Sequence, residues 1–510
     1  MDGVLSDEGA GHGENMRALS KSKLIAFRQC PKRLWLEIHK PEQRQVSQST
    51  AASFVAGDQV GHVARRLFDP KGEGALIDVA RDGYERALAR TTELLGSGKP
   101  IFEAGFSAAG AIAFADVLLP VKKRGGQRAW RMIEVKSSTS VKDYHRDDAS
   151  IQAFVARSAG VTLDRISVAH VDKTWKYPGG DDYGGLLKEE DLTQETADKA
   201  REVAEWIAQA QRIARRRNEP TRSTGAHCED PFVCGFKAYC AGQEPQADYP
   251  VRWLPRIQTK QLKAAIDAGA IDMRDVPDEL LNDRQRLVKA HTLAGTVHFE
   301  SANAAAALEA HKLPAYFLDF ETISFAVPIW KGTRPYQAIP FQFSLHRLSR
   351  KGEKTHDAFL DLSGNDPSRG FAEALIAKCG ERGPIFVYST FEKSRLADLA
   401  KRFTALKAPL EALIARLVDL LPIAEDHYYH PSQQGSWSIK KLLPAVTDLN
   451  YDTLAGVKDG GMAMDAFLEA IDLKTPVARR TQLERELLDY CALDTEAMVR
   501  LWEFFSGRKP

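Results

Sequence analysis

The stretch that decides the fold of the C-terminal part is Ala315-Tyr316-Phe317-Leu318-Asp319-Phe320-Glu321, an apolar run with two carboxylates near its end. Side chains alternate between the two faces of a β-strand, so Asp319 and Glu321 point the same way. Near the C-terminus, Tyr490 and Asp494 stand four residues apart, which puts both on one face of a helix. Unpaired carboxylates on a buried strand are costly, and metal coordination removes that cost. The pattern predicts a divalent-metal site of the kind that cuts phosphodiester bonds by in-line displacement.

Length and composition predict a soluble protein of two or three domains. The chain has 510 residues, of which 44% are hydrophobic, and a formal net charge of +1. Its apolar runs are too short to span a bilayer, and residues 1–18 lack an apolar signal and are expected to form a disordered tail. We therefore expect a cytoplasmic protein without membrane contact, whose six cysteines stay reduced. The balanced charge neither favours nor excludes nucleic acid, because catalytic carboxylates offset a basic groove.

Three parts follow one another along the chain. Residues 19–247 mix helical and strand patterns, residues 248–311 read as a helical connector, and residues 312–510 alternate strands with helices. In the last part, the pattern predicts strands at 315–320, 341–345 and 384–388 and helices at 391–403 and 482–505. This order is typical of the α/β class.

A further acid, Glu392, lies where the strand at 384–388 passes into a helix. Together with Asp319, Glu321, Tyr490 and Asp494, its spacing resembles the tyrosine subclass of the DEDD superfamily of 3′–5′ exonucleases, over residues 312–506. The resemblance implies an RNase H-like fold in which the four acids bind two Mg²⁺ or Mn²⁺ ions. It also implies that the tyrosine orients the attacking water.

The second motif departs from the family pattern. The family usually has Asp in N-x-x-F-D, whereas this chain has Tyr388-Ser389-Thr390-Phe391-Glu392, whose Glu is one methylene longer. The longer side chain could still bind a metal, or leave the site slow or altered in metal preference. Asp419 is a reserve candidate for a supporting role. The segment 436–441 begins a helix with a serine cap and two lysines, which would either grip phosphate or form a capped, solvated helix.

Two more strand-like runs carry charged residues in the N-terminal part. Asp116 lies in residues 114–118, and Glu134 and Lys136 lie on one face of residues 132–136. Asp116 and Glu134 can hold a divalent ion, and Lys136 can steady the attacking water or the scissile phosphate. Residues 122–127 between the two strands are expected to form a hairpin tip.

These runs resemble the PD-(D/E)xK nucleases in their RecB-like branch, which implies a restriction-endonuclease-like domain over residues 19–247. The resemblance makes the two acids both metal ligands and catalytic groups, and it makes the lysine catalytic. Gln152 fits the helical glutamine motif of that branch. His62 fits its upstream helical histidine, a metal ligand, and Glu103 matches an acid on the strand before the first aspartate.

Four cysteines belong together: Cys228, Cys234 and Cys240 recur at equal intervals, and Cys30 lies far upstream. This arrangement resembles the iron–sulfur RecB-like nucleases, including those of CRISPR adaptation modules and the AddB-type helicase–nucleases. The resemblance implies a 4Fe-4S cluster that joins the two ends of the nuclease domain. Four thiolates also suit zinc, with His227 able to replace one, although zinc sites usually have shorter spacings. Free thiols are a third alternative.

The whole pattern is similar to an uncharacterised bacterial family whose C-terminal part is usually labelled a domain of unknown function. Three functions remain open. They are a metal-dependent nuclease acting on single-stranded or free-ended DNA in repair or antiviral defence, a nucleic-acid-binding component with inactive sites, and an RNA exonuclease. The chain lacks a Walker A sequence, so unwinding would need a helicase or defence-complex partner. A basic run at 212–217 would track a nucleic-acid backbone or form a solvated helix face.

Overall fold

The protein is described by a computed structural model that covers residues 18–45, 48–122, 128–257 and 259–508. The expected tail, apart from Ala18, and the expected hairpin tip, apart from Lys122, lie outside these residues. The chain is an α/β protein that divides into two compact units. The first comprises Met1–Pro245 and Phe325–Tyr336, and the second comprises Gln246–Ser324 and Gln337–Pro510.

The first unit is built on a mixed seven-stranded sheet. Within the described residues its strands are Leu19–Ser20 (β1), Ala75–Leu76 (β2), Ile101–Ala108 (β3), Ala111–Lys122 (β4), Arg128–Lys136 (β5), Leu163–Val171 (β6) and Leu187–Asp191 (β7). Its helices are Lys21–Gln29 (α1), Pro31–His39 (α2), Gln48–Phe68 (α3), Val79–Leu95 (α4), Asp143–Ser158 (α5), Thr193–Asp198 (α6), Ala200–Ala214 (α7) and Lys237–Gly242 (α8). The strand order is β2-β3-β4-β5-β6-β7, with β1 beside β4.

The two motif strands of this unit are neighbours at the centre of the sheet. β4 and β5 pair antiparallel, and the last pair on the motif side joins Val117 to Ile133. One step further along, Asp116 comes opposite Glu134. Helix α5 packs against β4 and buries Gln152 beneath the same strands. The strands predicted at 114–118 and 132–136 and the helix around Gln152 are thereby confirmed.

The second unit is built on a mixed five-stranded sheet and a separate two-stranded one. Within the described residues its strands are His298–Phe299 (β8), Ala315–Ile323 (β9), Ile339–Leu348 (β10), Lys354–Leu360 (β11), Ile385–Val387 (β12), Leu417–Asp419 (β13) and Tyr428–Tyr429 (β14). Its helices are Lys260–Asp267 (α9), Asp283–Ala294 (α10), Ser301–Glu309 (α11), Ser368–Lys378 (α12), Phe391–Arg402 (α13), Lys407–Ile414 (α14), Leu421–His427 (α15), Ile439–Val446 (α16), Gly460–Ile471 (α17) and Val477–Ser506 (α18). The order is β11-β10-β9-β12-β13, in which β9, β10 and β11 are antiparallel and β12 is parallel to both β9 and β13.

The central strand β9 is apolar because helices cover both of its faces. On one face, Phe317 contacts Trp502 of α18 with ring centroids 6.1 Å apart. On the other face, Phe320 contacts Phe371 of α12 with centroids 4.8 Å apart. The alternation puts Asp319 on the α18 face together with Phe317. The predicted strands and helices of the C-terminal part are confirmed, and β11 is an additional strand that the sequence pattern did not indicate.

The segment predicted as a helical connector is part of the second unit. It contains α9, α10 and α11, as expected, and also β8, which pairs with β14. Val251, Leu262, Met273 and Leu308 are buried in the same apolar cluster as Phe317. Because these side chains fill the core of the second unit, the segment is packed structure rather than a spacer between domains.

The connection between β9 and β10 contributes a segment, Phe325–Tyr336, to the first unit. Val327 packs in an apolar cluster with Val60 and Leu186. Tyr336 donates a hydrogen bond to the carbonyl oxygen of Ser137, the residue after β5. The predicted boundaries, 19–247 and 312–510, assigned this segment to the C-terminal domain.

None of the helices in the described ranges is both long enough and apolar enough to cross a bilayer.

Candidate active sites

Three carboxylates converge on the α18 face of the second unit's sheet. Asp319, Glu321 and Asp494 each place an oxygen within 4.8 Å of the others. Strand β9 supplies the first two and α18, which packs over β9 and β10, supplies the third. In the described part of the chain, no other three histidine, cysteine or carboxylate ligands lie this close together.

Burial raises the pKa of all three acids. Loss of solvation raises the pKa of Glu321 to about 8 and that of Asp494 to about 6, and it raises the pKa of Asp319 well above its usual range. Repulsion from the neighbouring carboxylates adds to the effect at Asp319 and Glu321. A divalent cation would stabilise the ionised carboxylates and offset the cost of burying them. A set of hard carboxylate oxygens fits Mg²⁺ or Mn²⁺.

Two tyrosines and a lysine surround Asp494. The hydroxyl of Tyr451 donates to Asp494 Oδ1 at 2.5 Å. Tyr490 is buried one helical turn before Asp494, and its ring centroid is 6.2 Å from that of Tyr451. Lys440 Nζ lies 5.2 Å and 5.5 Å from the centroids of these two rings. The sequence pattern indicated Tyr490 and Lys440 but missed Tyr451. The one sequence feature that could have drawn attention to Tyr451 is its position as an aromatic residue between the polar residues Asn450 and Asp452.

The predicted serine cap before Lys440 is only partly present. Helix α16 begins at Ile439, and Ser438 occupies the N-cap position without a side-chain hydrogen bond. Lys440 Nζ donates to the carbonyl oxygen of Lys458 at 2.6 Å, which holds the ammonium group over the two tyrosines.

Glu392 and Asp419 are not among the three acids whose oxygens lie within 4.8 Å of one another. Glu392 is buried in the first turn of α13, and Ser389 Oγ donates to its carboxylate at 3.4 Å. Burial raises its pKa to about 7, with smaller contributions from Asp419 and Asp494. Asp419 ends β13 and accepts the backbone N–H of Leu421, the first residue of α15, at 2.9 Å.

In the first unit, Asp116, Glu134 and Lys136 line one cavity. Asp116 Oδ2 accepts the backbone N–H of Val135 at 2.7 Å, and Lys136 Nζ donates to Glu134 Oε1 at 2.6 Å. Gln152 donates to Glu134 Oε2. The other side-chain atom of Gln152, Oε1, is buried without a hydrogen-bond partner. The structure therefore brings the predicted acids, lysine and glutamine together.

Two residues to which the sequence analysis gave no role at this site complete the cluster. Lys21, the first residue of α1, places Nζ 2.9 Å from Glu134 Oε1 and 3.2 Å from Asp148 Oδ1. Lys136 also pairs with Asp148. Asp148 stands one helical turn before Gln152, and this spacing of four residues is the signal that could have found it.

Glu103 and His62 line the same cavity. Glu103 has a φ of 56°, a left-handed conformation that is unfavourable for a residue with a Cβ and that occurs at functional sites. Burial and then the charge of Glu134 raise its pKa. His62 is exposed, and its Nδ1 lies 2.8 Å from Arg65 Nη2. Its Nε2 is therefore the atom left to reach a metal.

The surroundings shift the pKa values of the two central acids of this site in opposite directions. Burial, and then repulsion from Glu134, raises the pKa of Asp116 well above its usual range. Burial opposes ionisation of Glu134 too, but Lys136 and Lys21 outweigh it and hold the pKa of Glu134 well below its usual range. Two carboxylates and an open cavity fit a hard divalent cation here as well.

The four predicted cysteines line a single cavity: Cys30, Cys228, Cys234 and Cys240. Burial raises the pKa of Cys240 to about 11 and raises that of Cys234. These groups are therefore protonated thiols until a metal displaces the protons. Lys32, Arg33 and Lys237 line the same cavity and would offset the negative charge of bound thiolates.

Four thiols at one cavity suit either of the two metals. Zinc takes four cysteine sulfurs in a tetrahedral site, and a 4Fe-4S cluster is held by four cysteine thiolates.

Comparison with known proteins gives little on function. A family model described as "Domain of unknown function (DUF2779)" matches residues 316–438, which include Asp319, Glu321 and Glu392 and stop before Asp494. The solved structure "Crystal structure of SSO0001" is 13% identical, with a TM-score of 0.23, over 46% of this chain and 90% of that one. No protein with a curated description matches.

Proposed function

We propose that the protein is a divalent-metal-dependent nuclease with two sites, which hydrolyses phosphodiester bonds of DNA and prefers single strands or free ends. The observation that carries the proposal is the convergence of Asp319, Glu321 and Asp494 within 4.8 Å beside the buried Tyr490. Like charges buried this closely destabilise a fold unless a cation joins them. Metal-assisted hydrolysis is the chemistry that such a group best supports.

The arrangement of elements supports the finer expectation for each unit. In the second unit, the acidic motif lies on the central strand of a mixed sheet and the tyrosine motif on a long helix across it, as an RNase H-like DEDD exonuclease would require. In the first unit, adjacent antiparallel strands carry Asp116 and the Glu134–Lys136 motif, and a covering helix carries Gln152. This supports a RecB-like PD-(D/E)xK domain.

At the second-unit site, bound Mg²⁺ or Mn²⁺ would supply a nucleophilic water and stabilise the leaving 3′ oxygen. Asp319, Glu321 and Asp494 would bind the ions, and the hydroxyl of Tyr490 would orient the water. The hydrogen bond from Tyr451 fixes the carboxylate of Asp494 for ligation.

At the first-unit site, Asp116 and Glu134 would hold the ion, with His62 and Glu103 at the wall of the same cavity. The amide of Gln152 fixes one oxygen of Glu134. The ammonium group of Lys136 would steady the attacking water, since it already faces the cavity beside Glu134.

The four cysteines would hold a 4Fe-4S cluster that ties the start of the first unit to its end. Cys30 lies between α1 and α2, and the other three follow α7 late in the unit. DNA repair or antiviral defence, with a helicase or defence-complex partner, suits a nuclease of this kind.

A nucleic-acid-binding component with inactive sites is the second candidate. The observation that favours it is the position of Glu392, which replaces the usual Asp and lies outside the close acid group. An RNA exonuclease is the third, because the same fold serves either nucleic acid.

Matched DNA and RNA oligonucleotides test these alternatives directly. The wild type, the site variant Asp319→Asn and the exposed control Asp489→Asn would be incubated with each substrate in Mg²⁺, in Mn²⁺ and in chelator. The proposal predicts metal-dependent cleavage of DNA that Asp319→Asn reduces and Asp489→Asn does not. Preferential cleavage of RNA would support the third candidate, and binding without cleavage of either substrate would support the second.

A further inference from the structure

Lys21 and Lys136 occupy matching positions in the first unit's site. Lys21 Nζ lies 2.9 Å from Glu134 Oε1 and 3.2 Å from Asp148 Oδ1. Lys136 Nζ lies 2.6 Å from the same oxygen of Glu134 and pairs with the other oxygen of Asp148. Two ammonium groups from distant parts of the sequence therefore share the same two carboxylates.

The two lysines face the cavity, and the acids lie beneath them. Side-chain exposure is 22% for Lys21 and 21% for Lys136, against 2% for Glu134 and 8% for Asp148. Both lysines line the cavity that also contains Asp116. The shared acids thus fix two positive charges at the wall where a phosphodiester would lie.

Helix α1 fixes Lys21 in this place. The side chain of Ser20 caps the helix by accepting the backbone N–H of Lys23 at 3.4 Å. Leu24 and Phe27 are buried in the core of the unit, and Arg28 pairs with Asp147 of α5 at 3.1 Å. A long side chain loses rotamer entropy when it is held, so an anchored helix lowers the remaining cost of ordering Lys21.

We propose that Lys21 is a second phosphate-binding cation of this site, and that Asp148 positions it together with Lys136. Its ammonium group binds a non-bridging oxygen of the substrate strand, while Lys136 serves the attacking water. The inference rests on the proposed nuclease function of the first unit and names a further residue that contacts its substrate.

A purely structural role for Lys21 makes a different prediction. An ion pair that only anchors α1 would, when removed, loosen the site and weaken the binding of metal and nucleic acid together. A phosphate-binding cation beside Glu134 competes with the metal for that carboxylate. Its removal therefore leaves Mn²⁺ binding as tight as before or tighter, and weakens only the binding of the nucleic acid.

The test uses the full chain carrying Asp319→Asn, so that the second unit's site is silenced. Three variants are added to this parent: Lys21→Met, Lys21→Arg and the control Lys23→Met on the same helix. Calorimetry measures Mn²⁺ affinity, and fluorescence anisotropy measures the binding of a labelled single-stranded oligo(dT) in Ca²⁺. Cleavage of the same strand in Mn²⁺ gives kcat and KM.

For Lys21→Met we expect Mn²⁺ affinity that is unchanged or increased, and oligo(dT) affinity that falls roughly tenfold or more, because one charge-assisted hydrogen bond is lost. The salt dependence of oligo(dT) binding should weaken by a slope of roughly 0.7, as for one phosphate contact on a single strand. Lys21→Arg should restore most of the affinity, and Lys23→Met should match the parent.

Two results would overturn the inference, and they show whether the role of Lys21 or the proposed nuclease function has failed. If the parent binds Mn²⁺ and cleaves the strand while Lys21→Met behaves like Lys23→Met, or loses metal and nucleic acid affinity together, the role of Lys21 is refuted and the proposed function stands. If the parent neither binds Mn²⁺ nor cleaves, the proposed function of the first unit fails and the inference fails with it.

Discussion

The hydroxyl of Tyr451 lies 2.5 Å from Asp494 Oδ1, and this hydrogen bond joins a short turn to the helix that carries the third carboxylate of the second unit. Both side chains are buried. Burial raises the pKa of Tyr451 far above its usual range, so the phenol is a permanent donor. Burial raises the pKa of Asp494 to about 6 and that of Glu321 to about 8. The hydrogen bond from Tyr451 opposes the effect of burial at Asp494, whereas repulsion from Asp494 adds to it at Glu321.

Replacing Tyr451 with Phe removes this donor from a carboxylate that we propose to bind metal. Mn²⁺ affinity at the second-unit site should fall roughly tenfold, the usual effect of losing one hydrogen bond to a charged group. Calorimetry in an Asp116→Asn background, which removes a proposed metal ligand of the first unit, measures it. Tyr429→Phe is the control, because it also removes a buried hydroxyl contact, to Thr292 at 2.7 Å. Equal metal affinities in the two variants would contradict the role given to Tyr451.

The metal-free protein should become more stable when Asp319 is replaced by Asn. The folded pKa of this acid is raised, so its unfavourable contribution to stability grows as pH rises above the ordinary value of 3.8. We expect the Tm of Asp319→Asn to exceed that of wild type by a few degrees at pH 8 and by less at pH 5. Mn²⁺ should raise the Tm of wild type more than that of the variant. If the exposed variant Asp489→Asn gives the same changes, the effect does not come from the acid cluster.

His346 should make the second unit sensitive to acid. Burial, with a further contribution from His356, lowers the pKa of His346 to about 4, although Glu496 lies 3.5 Å from its Nε2. Glu496 also pairs with Lys354, which weakens its pull on the imidazole. Because the pKa of His346 is lower in the folded than in the unfolded protein, neutral His346 contributes to the stability of the fold. This contribution is fully present above about pH 6.5 and is lost as the pH falls towards 4. Urea unfolding at several pH values should therefore show a shallower pH dependence for His346→Gln than for wild type, and parallel curves would refute this.

The four clustered cysteines predict that the purified protein contains iron and that replacing one of them removes it. Anaerobically purified protein should contain iron and acid-labile sulfide and show the visible absorbance of an iron–sulfur cluster, and Cys30→Ser should lose most of both. Cys379→Ser is the matched control, since Cys379 is buried in the second unit and packs in an apolar cluster. Bound zinc in place of iron would support the zinc alternative, and the absence of both metals would contradict a metal site at these cysteines.

The motif residues were predictable because local periodicity determines where they point. Period-2 alternation brought Asp319 and Glu321 to one face, and the spacing of Tyr490 and Asp494 did the same on a helix. The roles of Lys21 and Tyr451 were not predictable, because each reaches its site through packing between elements far apart in sequence, which spacing does not encode. Asp148 could have been predicted from its spacing of four residues before Gln152 on α5. The core role of residues 248–311 was missed for the same reason: helical periodicity does not say which core a helix packs against.

The most direct test of the central claim is the degradation of 5′-labelled and 3′-labelled single-stranded DNA in Mn²⁺ by wild type, Asp319→Asn, Lys136→Met and the double variant. Two independent metal-dependent sites predict that each single variant loses a different product ladder and that the double variant loses both. If wild type leaves both labels intact in Mn²⁺ and in Mg²⁺, and leaves a matched RNA intact as well, the two-site nuclease account is wrong.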